Sequence, residues 1–294
     1  MRNGLQAALL LLGMFGPTYP ASADVPPSIP AAIYTDPPHD ASHPARIEVL
    51  HIPSGAQTIY GIAYLAVGPG PHPTVVLCHG WPGNEKNLDL AQAIRRAGWN
   101  VVTFNYRGSW GSPGTFSFGQ NPEDAKSVLA FIRRPDNVEK LGIDTSKIVL
   151  AGHSMGGWVT ATVAGEDKAL KGAILISAAN MGRVGTLPYR QLYERSAENT
   201  ETLAGATARS MADELSARAK DYDFMNSAQG LADKPLLILS SDDGLTPFTD
   251  ELAAAVRKAG NAQVAMAHVE TDHSWSDRRI DLASRIIVWL EGLK

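Results

Sequence analysis

The chain has 294 residues, of which 44% are hydrophobic, and its formal net charge at pH 7 is -4. This size and composition are typical of a globular protein with a substantial core. Lys and Arg are scattered along the chain without a basic run. Because nucleic-acid binding needs a concentrated basic face, we expect no nucleic-acid partner.

Residues 1 to 23 have the pattern of a secretory signal peptide. Arg2 provides a positive start, Leu5 to Phe15 form a short apolar stretch, and Ala21-Ser22-Ala23 is a small-residue cleavage site. The apolar stretch is shorter than the roughly 20 residues that a membrane-spanning helix needs. Two prolines that follow it disfavour the alternative, a buried N-terminal helix. We therefore expect export to the periplasm or the extracellular space, no stable membrane insertion, and Asp24 as the first mature residue.

Cys78 is the only cysteine of the chain, which excludes an intrachain disulfide. It ends the apolar run Val75-Val76-Leu77-Cys78. A small apolar side chain in the core is the expected role, rather than a reactive thiol.

Residues 24 to 45 are rich in Pro, Ala and Asp and predict an extended surface leader. Residues 46 to 294 alternate between apolar runs and helical patterns, and we expect one domain. Two alternating runs, 46 to 52 and 58 to 67, flank the turn signal Ser54-Gly55 and predict a hairpin. Six further runs are nearly continuous in apolar character, as in strands buried on both faces. These are residues 74 to 78, 101 to 105, 147 to 151, 173 to 177, 235 to 240 and 263 to 269.

Apolar side chains at helical spacing predict helices between these strands. One covers residues 88 to 94 and ends before Gly98; another begins at Asn121-Pro122, with Asn121 as N-cap. Two more cover residues 252 to 259 and 280 to 290. This alternation predicts an α/β fold, a mostly parallel eight-stranded sheet with helices on both faces. In such a sheet the ligand crevice lies beyond the carboxyl ends of the strands.

Residues 180 to 234 lack an obvious strand and contain polar helical stretches around 189 to 195 and 207 to 219. Because they lie between two core strands, we expect a helical lid over the crevice; the alternative is an excursion that only packs. Six side chains there suit either a ligand pocket or packing and stay unassigned: Tyr189, Tyr193, Met211, Tyr222, Phe224 and Met225.

The strongest functional signal is the G-x-S-x-G run Gly152-His153-Ser154-Met155-Gly156, followed by Gly157. It stands between a predicted strand and an apolar helical run, the context of a nucleophile elbow. Side chains at the glycine positions would clash with neighbouring backbone in so sharp a turn. Ser154 is therefore the predicted nucleophile, and the side chain of His153 is expected to point away from the crevice.

A serine hydroxyl needs a base that removes its proton. Of the eight histidines, His273 follows the last predicted strand and precedes the final helix. That position places it at the carboxyl edge of the sheet, so His273 is the predicted base. His39, His43 and His72 lie in Pro-rich loops, His51 and His268 belong to strands, and His153 adjoins the nucleophile.

The base needs a carboxylate that holds its tautomer. Either Asp242 or Asp243, in the loop after the strand at 235 to 240, is suitable. We favour Asp243, because its spacing to Pro247 leaves it at the apex of the loop. Asp242 is then a turn or capping residue. The order Ser, Asp, His is the one that an α/β-hydrolase requires.

Acyl transfer also needs N–H donors for the developing oxyanion. The backbone N–H of Met155, directly after the nucleophile, is one candidate. The other is expected in the loop His79-Gly80-Trp81-Pro82-Gly83 after the first parallel strand. Trp81 is the candidate there, and Pro82 is excluded because it has no N–H.

Together these segments resemble the α/β-hydrolase superfamily, and most closely its bacterial serine esterases and the catalytic domains of acyl-peptidases. The resemblance covers most of residues 46 to 294 and rests on five segments: residues 79 to 83, Asn105-Tyr106-Arg107-Gly108 with Gly111-Ser112 after it, Gly152 to Gly157, Asp243 and Asp272-His273. It implies that Trp81 supplies the second N–H and that Tyr106 and Arg107 belong to a structural loop. The leader stands where acyl-peptidases carry a propeller, which weakens a peptidase assignment.

The sequence thus predicts a secreted serine hydrolase that cleaves small-molecule carboxylic esters through an acyl-enzyme. An exported aminopeptidase, acyl-peptidase or acyltransferase is the alternative, since it would use the same triad. A non-catalytic binding protein of this fold is disfavoured, because no triad residue is missing. No metal or cofactor is expected, since no Cys or His pair has ligand spacing and no glycine-rich phosphate loop follows a strand. The oligomeric state is not predicted.

Overall fold

The computed structural model describes residues 28–294, so the predicted signal peptide lies outside the described residues. The described part of the leader follows the surface and forms one short 3₁₀ helix, Ala31–Ile33. Arg96 holds this helix, because its guanidinium donates hydrogen bonds to two of its carbonyl oxygens, at 2.6 and 3.3 Å. No helix among the described residues is long and apolar enough to cross a bilayer.

An eight-stranded sheet forms the middle layer of the molecule. Its strands are β1 (Arg46–Ser54), β2 (Gln57–Leu65), β3 (His72–Cys78), β4 (Asn100–Phe104), β5 (Ile143–His153), β6 (Gly172–Ile176), β7 (Leu236–Ser241) and β8 (Val264–Val269). They lie side by side in the order β1-β2-β4-β3-β5-β6-β7-β8. β1 and β2 form an antiparallel hairpin, β2 also runs antiparallel to β4, and every other pair is parallel. The predicted fold class is confirmed.

Helices cover both faces of this sheet. They are α1 (Leu88–Arg96), α2 (Gln120–Ile132), α3 (Pro135–Leu141), α4 (Met155–Glu166), α5 (Met181–Gly185), α6 (Tyr189–Ala197), α7 (Ala208–Ala217), α8 (Thr246–Lys258) and α9 (Arg279–Glu291). Side chains of α1 and α9 share one apolar cluster on the first face, and those of α2, α4 and α8 share another on the second face. The two clusters form a three-layer core.

The parallel strands supply both clusters because their side chains alternate between the two faces. In β3, Val75 and Leu77 contact the cluster of α1 and α9, whereas Val76 and Cys78 contact the opposite cluster. All four side chains are almost fully buried. Burying a Val or Leu side chain stabilises the fold by about 1.5–3 kcal/mol. Because both faces of these strands are buried, their sequences are continuous apolar runs.

Two details of the sequence prediction are wrong. α2 is not capped by Asn121 but begins one residue earlier, at Gln120, and Asn121 lies buried in its first turn. The Asn121 side chain instead donates a hydrogen bond to the sulfur of Met155, at 3.2 Å. β8 is not buried on both faces, because it is the edge strand and has a neighbour only in β7.

Cys78 is fully buried, as predicted, and burial raises the pKa of its thiol to about 12. Since only the thiolate reacts readily, we expect no labelling of the native protein by a thiol reagent at pH 8. Complete labelling of one thiol should follow unfolding in guanidinium chloride. Mass spectrometry before and after unfolding measures both, and rapid labelling of the folded protein would contradict the prediction.

Tyr106 and Arg107 belong to the loop that follows β4 and tie it to neighbouring elements through hydrogen bonds. The Tyr106 hydroxyl donates to the carbonyl oxygen of His79, at 3.3 Å. Arg107 donates to Asp124 through its backbone N–H and its Nε, at 2.8 and 2.6 Å, and the hydroxyl of Ser54 donates to the same carboxylate at 2.5 Å. Neither side chain lines the cavity described below.

Truncation of Asp124, as Asp124→Ala, should therefore lower the free energy of unfolding by about 3–5 kcal/mol, because three buried donors lose their acceptor. Burial raises the pKa of this carboxyl, against the opposing effects of the hydrogen bonds from Ser54 and Arg107 and of the Arg107 charge. Glu123→Ala is the matched control. Glu123 also pairs with Arg107, at 2.7 Å, but is 65% exposed, so its removal should cost less than about 1 kcal/mol. Urea unfolding measures the free energy of unfolding of the two variants. An equal loss of stability in both would contradict the role of the buried hydrogen bonds to Asp124.

Residues 180 to 234, termed here the helical insertion, contain α5, α6, α7 and a short 3₁₀ helix, Phe224–Ser227. Glu214 of α7 ties the insertion to the main domain. Its carboxylate accepts hydrogen bonds from the backbone N–H groups of Phe118 and Gly119, at 3.1 and 2.8 Å, and from the Ser117 hydroxyl at 2.9 Å. The insertion is therefore anchored at α7 and not only joined at its two ends.

Candidate active site

Ser154 lies at a sharp turn between β5 and α4. Its backbone has φ 58° and ψ -124°. Residues other than glycine rarely adopt this conformation, which costs of order 1–3 kcal/mol. Three backbone hydrogen bonds hold it: the Ser154 N–H donates to Ile176 at 3.0 Å, and its carbonyl oxygen accepts from Gly157 and Ala179, both at 2.9 Å. The end of β6 and the start of α4 thus fix the strained serine.

Glycines around this turn leave no room for a side chain. A Cβ at Gly152 would overlap the carbonyl oxygen of Gly156, and a Cβ at Gly156 would overlap that of Cys78. On the other side of the serine, a Cβ at Gly80 would lie 2.9 Å from the Ser154 Cβ. The loop after β3 therefore approaches Ser154 as closely as backbone can.

His273 lies in the loop between β8 and α9 and contacts a buried carboxylate. Its Nδ1 is 2.7 Å from Oδ2 of Asp243, whose side chain is only 5% exposed. Burial alone would raise the pKa of Asp243, but hydrogen bonds from His273 and from the backbone N–H of Leu245 outweigh it and lower the pKa below its ordinary value. The carboxylate is thus ionised at neutral pH, and Nδ1 of His273 donates to it.

Asp242, the alternative that the sequence left open, turns outward. Its Oδ1 is 3.0 Å from Nε2 of His268, and its side chain is 59% exposed. Of the two adjacent aspartates, the structure brings only Asp243 to His273.

Ser154, Asp243 and His273 line one cavity of about 300 Å³. The hydroxyl of Ser154 makes no direct hydrogen bond to His273 in the described chain. Such bonds are often long in unliganded sites and shorten only in the reacting complex. The other lining residues comprise six apolar ones, Trp81, Met155, Ala179, Met181, Val184 and Leu245, and three polar ones, Arg195, Glu198 and Asn199.

The two predicted N–H donors, Trp81 and Met155, both lie on the cavity wall. Met155 is the first residue of α4, so its N–H has no acceptor within the helix and lies at the positive end of the helix dipole. Neither N–H donates a backbone hydrogen bond elsewhere within residues 28–294. The indole N–H of Trp110 donates to the carbonyl oxygen of Pro82 at 2.7 Å and holds the loop that carries Trp81.

The sequence analysis did not predict the contact between His153 and His273. Its side chain does not line the cavity, in agreement with the expectation, yet it is buried against His273. The ring centroids are 4.7 Å apart, and Nε2 of His153 is 2.8 Å from the carbonyl oxygen of His273. No sequence signal identifies a contact between residues so far apart in the chain.

The sequence analysis also did not identify the polar residues that line the cavity. Arg195, Glu198 and Asn199 belong to the last turn of α6 and the residues after it. The six unassigned aromatic and methionine side chains do not line this cavity: Met211, Tyr222 and Phe224 are buried in the core, Met225 packs against it, and Tyr189 and Tyr193 are exposed. Among the described residues, no group of three or more His, Cys, Asp or Glu side chains is arranged to hold a metal ion.

Solved structures of other proteins share this fold. An esterase from Pyrobaculum calidifontis has a similar structure, with a TM-score of 0.65 and 21% identity over 86% of this chain and 87% of that chain. A carboxyl esterase from Bacillus coagulans, solved with glycerol, has a TM-score of 0.65 and 14% identity over 84% and 98% of the two chains. An acylaminoacyl peptidase from Pyrococcus horikoshii has a TM-score of 0.60 and 16% identity, over 84% of this chain and 41% of its own.

Identities this low establish a shared fold and nothing about substrates. The sequence search of curated proteins gives no match. The Alpha/beta hydrolase family, in contrast, matches residues 75–286, which include the end of β3, the turn at Ser154 and the loop at His273. Since this match spans most of the sequence, the chain belongs to the α/β-hydrolase family.

Proposed function

We propose that the protein is a serine hydrolase that cleaves carboxylic esters of small molecules. Ser154 is the nucleophile, His273 the base, and Asp243 the residue that orients the base. One observation carries the proposal: a serine held in a strained strand-to-helix turn shares a cavity with an imidazole whose Nδ1 is bonded to a buried carboxylate.

The reaction follows from these positions. With Nδ1 donating to Asp243, Nε2 of His273 accepts the proton of Ser154 as Oγ attacks the ester carbonyl carbon. The N–H groups of Trp81 and Met155 stabilise the resulting oxyanion, a contribution of about 3–4 kcal/mol for each donor. The intermediate collapses, the alcohol leaves with the proton from His273, and the acyl group stays on Ser154.

Water then completes the cycle. His273 removes a proton from the water molecule that attacks the acyl carbon, and the carboxylic acid leaves as Ser154 recovers its hydrogen. Asp243 remains ionised throughout and stabilises the imidazolium that forms twice in each turnover.

The size and lining of the cavity support small ester substrates. A volume of about 300 Å³ is at the lower end for ligand pockets, and six of its lining residues are apolar. An acyltransferase would use the same residues, with an alcohol in place of water.

One observation favours an exported aminopeptidase as a second candidate. Glu198 lies on the cavity wall and has no ion-pair partner among the described residues. A carboxylate there suits the free amino group of a peptide. Glu198→Gln should then reduce the hydrolysis of aminoacyl amides and leave uncharged esters almost unaffected.

A substrate panel with an active-site label tests the proposal. p-Nitrophenyl esters of increasing chain length and the matching anilides are compared, and a fluorophosphonate probe is followed by peptide mapping. We expect labelling at Ser154 and faster cleavage of short esters than of anilides. Absence of labelling would instead favour a binding protein of this fold, and faster cleavage of amides would favour the peptidase.

We also propose that the helical insertion acts as a lid. Residues of α5 and α6 form part of the cavity wall, and Glu214 anchors α7 beside it. Hydrogen exchange in residues 189 to 199 should slow when Ser154 carries a phosphonate adduct. Unchanged exchange in that stretch would contradict a lid.

Export is proposed on the sequence of residues 1 to 23 alone. Expression of the full chain should yield a protein outside the cytoplasm whose N-terminal residue is Asp24. Retention of Met1 in a cytoplasmic product would contradict export.

A further inference from the structure

His153 contacts the base of the proposed triad without belonging to the triad. We propose that His153 is a positioning residue, which donates its Nε2–H to the main-chain carbonyl of His273 and supports the imidazole with its own ring. The proposal rests on the proposed function, because it assigns a role in the placement of the base relative to Ser154.

The geometry connects a rigid element with a loop. His153 is the last residue of β5 and pairs with Ile176 of β6, so its backbone is fixed by the sheet. His273 belongs to the loop between β8 and α9. The distance of 2.8 Å between Nε2 of His153 and the carbonyl oxygen of His273 therefore fastens the loop to the strand that carries the nucleophile.

A second contact restrains the imidazole itself. The two rings are tilted by 42°, with centroids 4.7 Å apart, and His153 is only 4% exposed. Asp243 holds the His273 ring at Nδ1, and His153 supports one of its faces. These two contacts leave the His273 ring little freedom to turn away from Ser154.

The protonation state of His153 suits this role. A carbonyl oxygen accepts only from a protonated nitrogen, so Nε2 carries the hydrogen, and Nδ1 has no partner among the described residues. Burial lowers the pKa of His153 to about 4, and the charges of His273 and Arg279 act in the same direction; the hydrogen bond to the His273 carbonyl and the charge of Asp243 oppose this shift without reversing it. The ring therefore stays neutral while His273 gains a proton during the reaction.

The alternative is a histidine that only fills space in the core. Such a role would lower the melting temperature on substitution and leave kcat unchanged in the folded protein. A positioning role lowers kcat and leaves KM nearly unchanged, because the base moves and the cavity does not.

Two variants separate the contributions of the donor and of the ring. His153→Phe keeps an aromatic ring without a donor, and His153→Gln keeps a side-chain N–H of similar reach without the ring. We expect kcat of the Phe variant to fall roughly 10- to 100-fold, with KM within about twofold, since the part-buried carbonyl of His273 loses its donor. We expect Gln to recover most of that loss.

The rate of fluorophosphonate labelling, which also depends on the base, should follow kcat, and melting temperatures establish that both variants fold. Wild-type kcat and labelling in the Phe variant would overturn the inference and leave the proposed function intact. Equal losses of kcat in both variants would also overturn it, since the donor would then not be the cause. A wild-type protein without labelling or hydrolysis would overturn the proposed function itself, and the inference with it.

Discussion

Ser154→Ala is expected to lower kcat for short p-nitrophenyl esters by roughly five to six orders of magnitude. The change removes the atom that forms the covalent bond to the acyl group in the proposed reaction. The cavity, His273 and the two N–H donors remain, so weak catalysis by positioning and oxyanion stabilisation is all that should persist. Initial rates of purified wild-type and variant protein, with purity sufficient to exclude wild-type contamination, measure the effect.

The same variant should keep its fold. Oγ of Ser154 makes no hydrogen bond in the described chain, and Ala occupies the strained backbone conformation at a cost similar to that of Ser. Ser216→Ala, the same chemical change on the exposed face of α7, is the matched control and should retain wild-type activity. A Ser154→Ala protein with more than about one hundredth of wild-type kcat would exclude Ser154 as nucleophile.

The positions of Ser154 and His273 could be predicted because they depend on local patterns and one topological rule. Ser154 and His273 each come within a few residues of the end of a predicted strand, and the carboxyl ends of parallel strands share one edge of the sheet. Strand order within the sheet is not needed for that conclusion. The fold class was predictable for the same reason, since buried strands and amphipathic helices leave strong local signals.

Features that depend on distant contacts could not be predicted. The side chain of Asn121 contacts Met155 instead of capping α2, and the exposure of β8 follows from its place at the sheet edge. His153 meets a residue that is 120 positions away in the sequence. α3 was missed for another reason: its seven residues are too few to show a helical period.

The preference for Asp243 over Asp242 rested on loop spacing alone, and adjacent residues of one loop are hard to distinguish by sequence. In the structure, a local bond decides their orientation: Oδ1 of Asp243 accepts from the backbone N–H of Leu245 at 2.9 Å, which turns the carboxylate inward. The neighbouring carboxylate then faces solvent and pairs with His268. This difference makes the two aspartates a natural test pair.

Asp243→Asn is expected to lower kcat about 10⁴-fold, whereas Asp242→Asn should stay within about twofold of wild type. A neutral amide places its NH₂ group toward Nδ1 of His273, which makes Nδ1 an acceptor and moves the hydrogen to Nε2. An imidazole in that tautomer does not accept the proton of Ser154. Michaelis constants should change little, because the cavity wall keeps its shape. Equal activity losses in the two variants would contradict the assignment of Asp243.

Acid unfolding offers an independent readout of the same carboxylate. The pKa of Asp243 is lower in the folded protein than its ordinary value of 3.8, so its ionised form stabilises the fold. That contribution is complete above the ordinary pKa and disappears as the pH falls through the folded pKa. In Asp243→Asn this part of the pH dependence should be absent, so the unfolding free energies of the variant and the wild type should converge as the pH falls below 4.

Asp242→Asn is the control. Its unfolding free energy should differ little from that of the wild type over the whole pH range, because Asp242 is exposed and forms only a surface ion pair with His268. A constant difference between Asp243→Asn and the wild type from pH 7 to pH 3 would show that the buried carboxylate does not stabilise the fold through its charge.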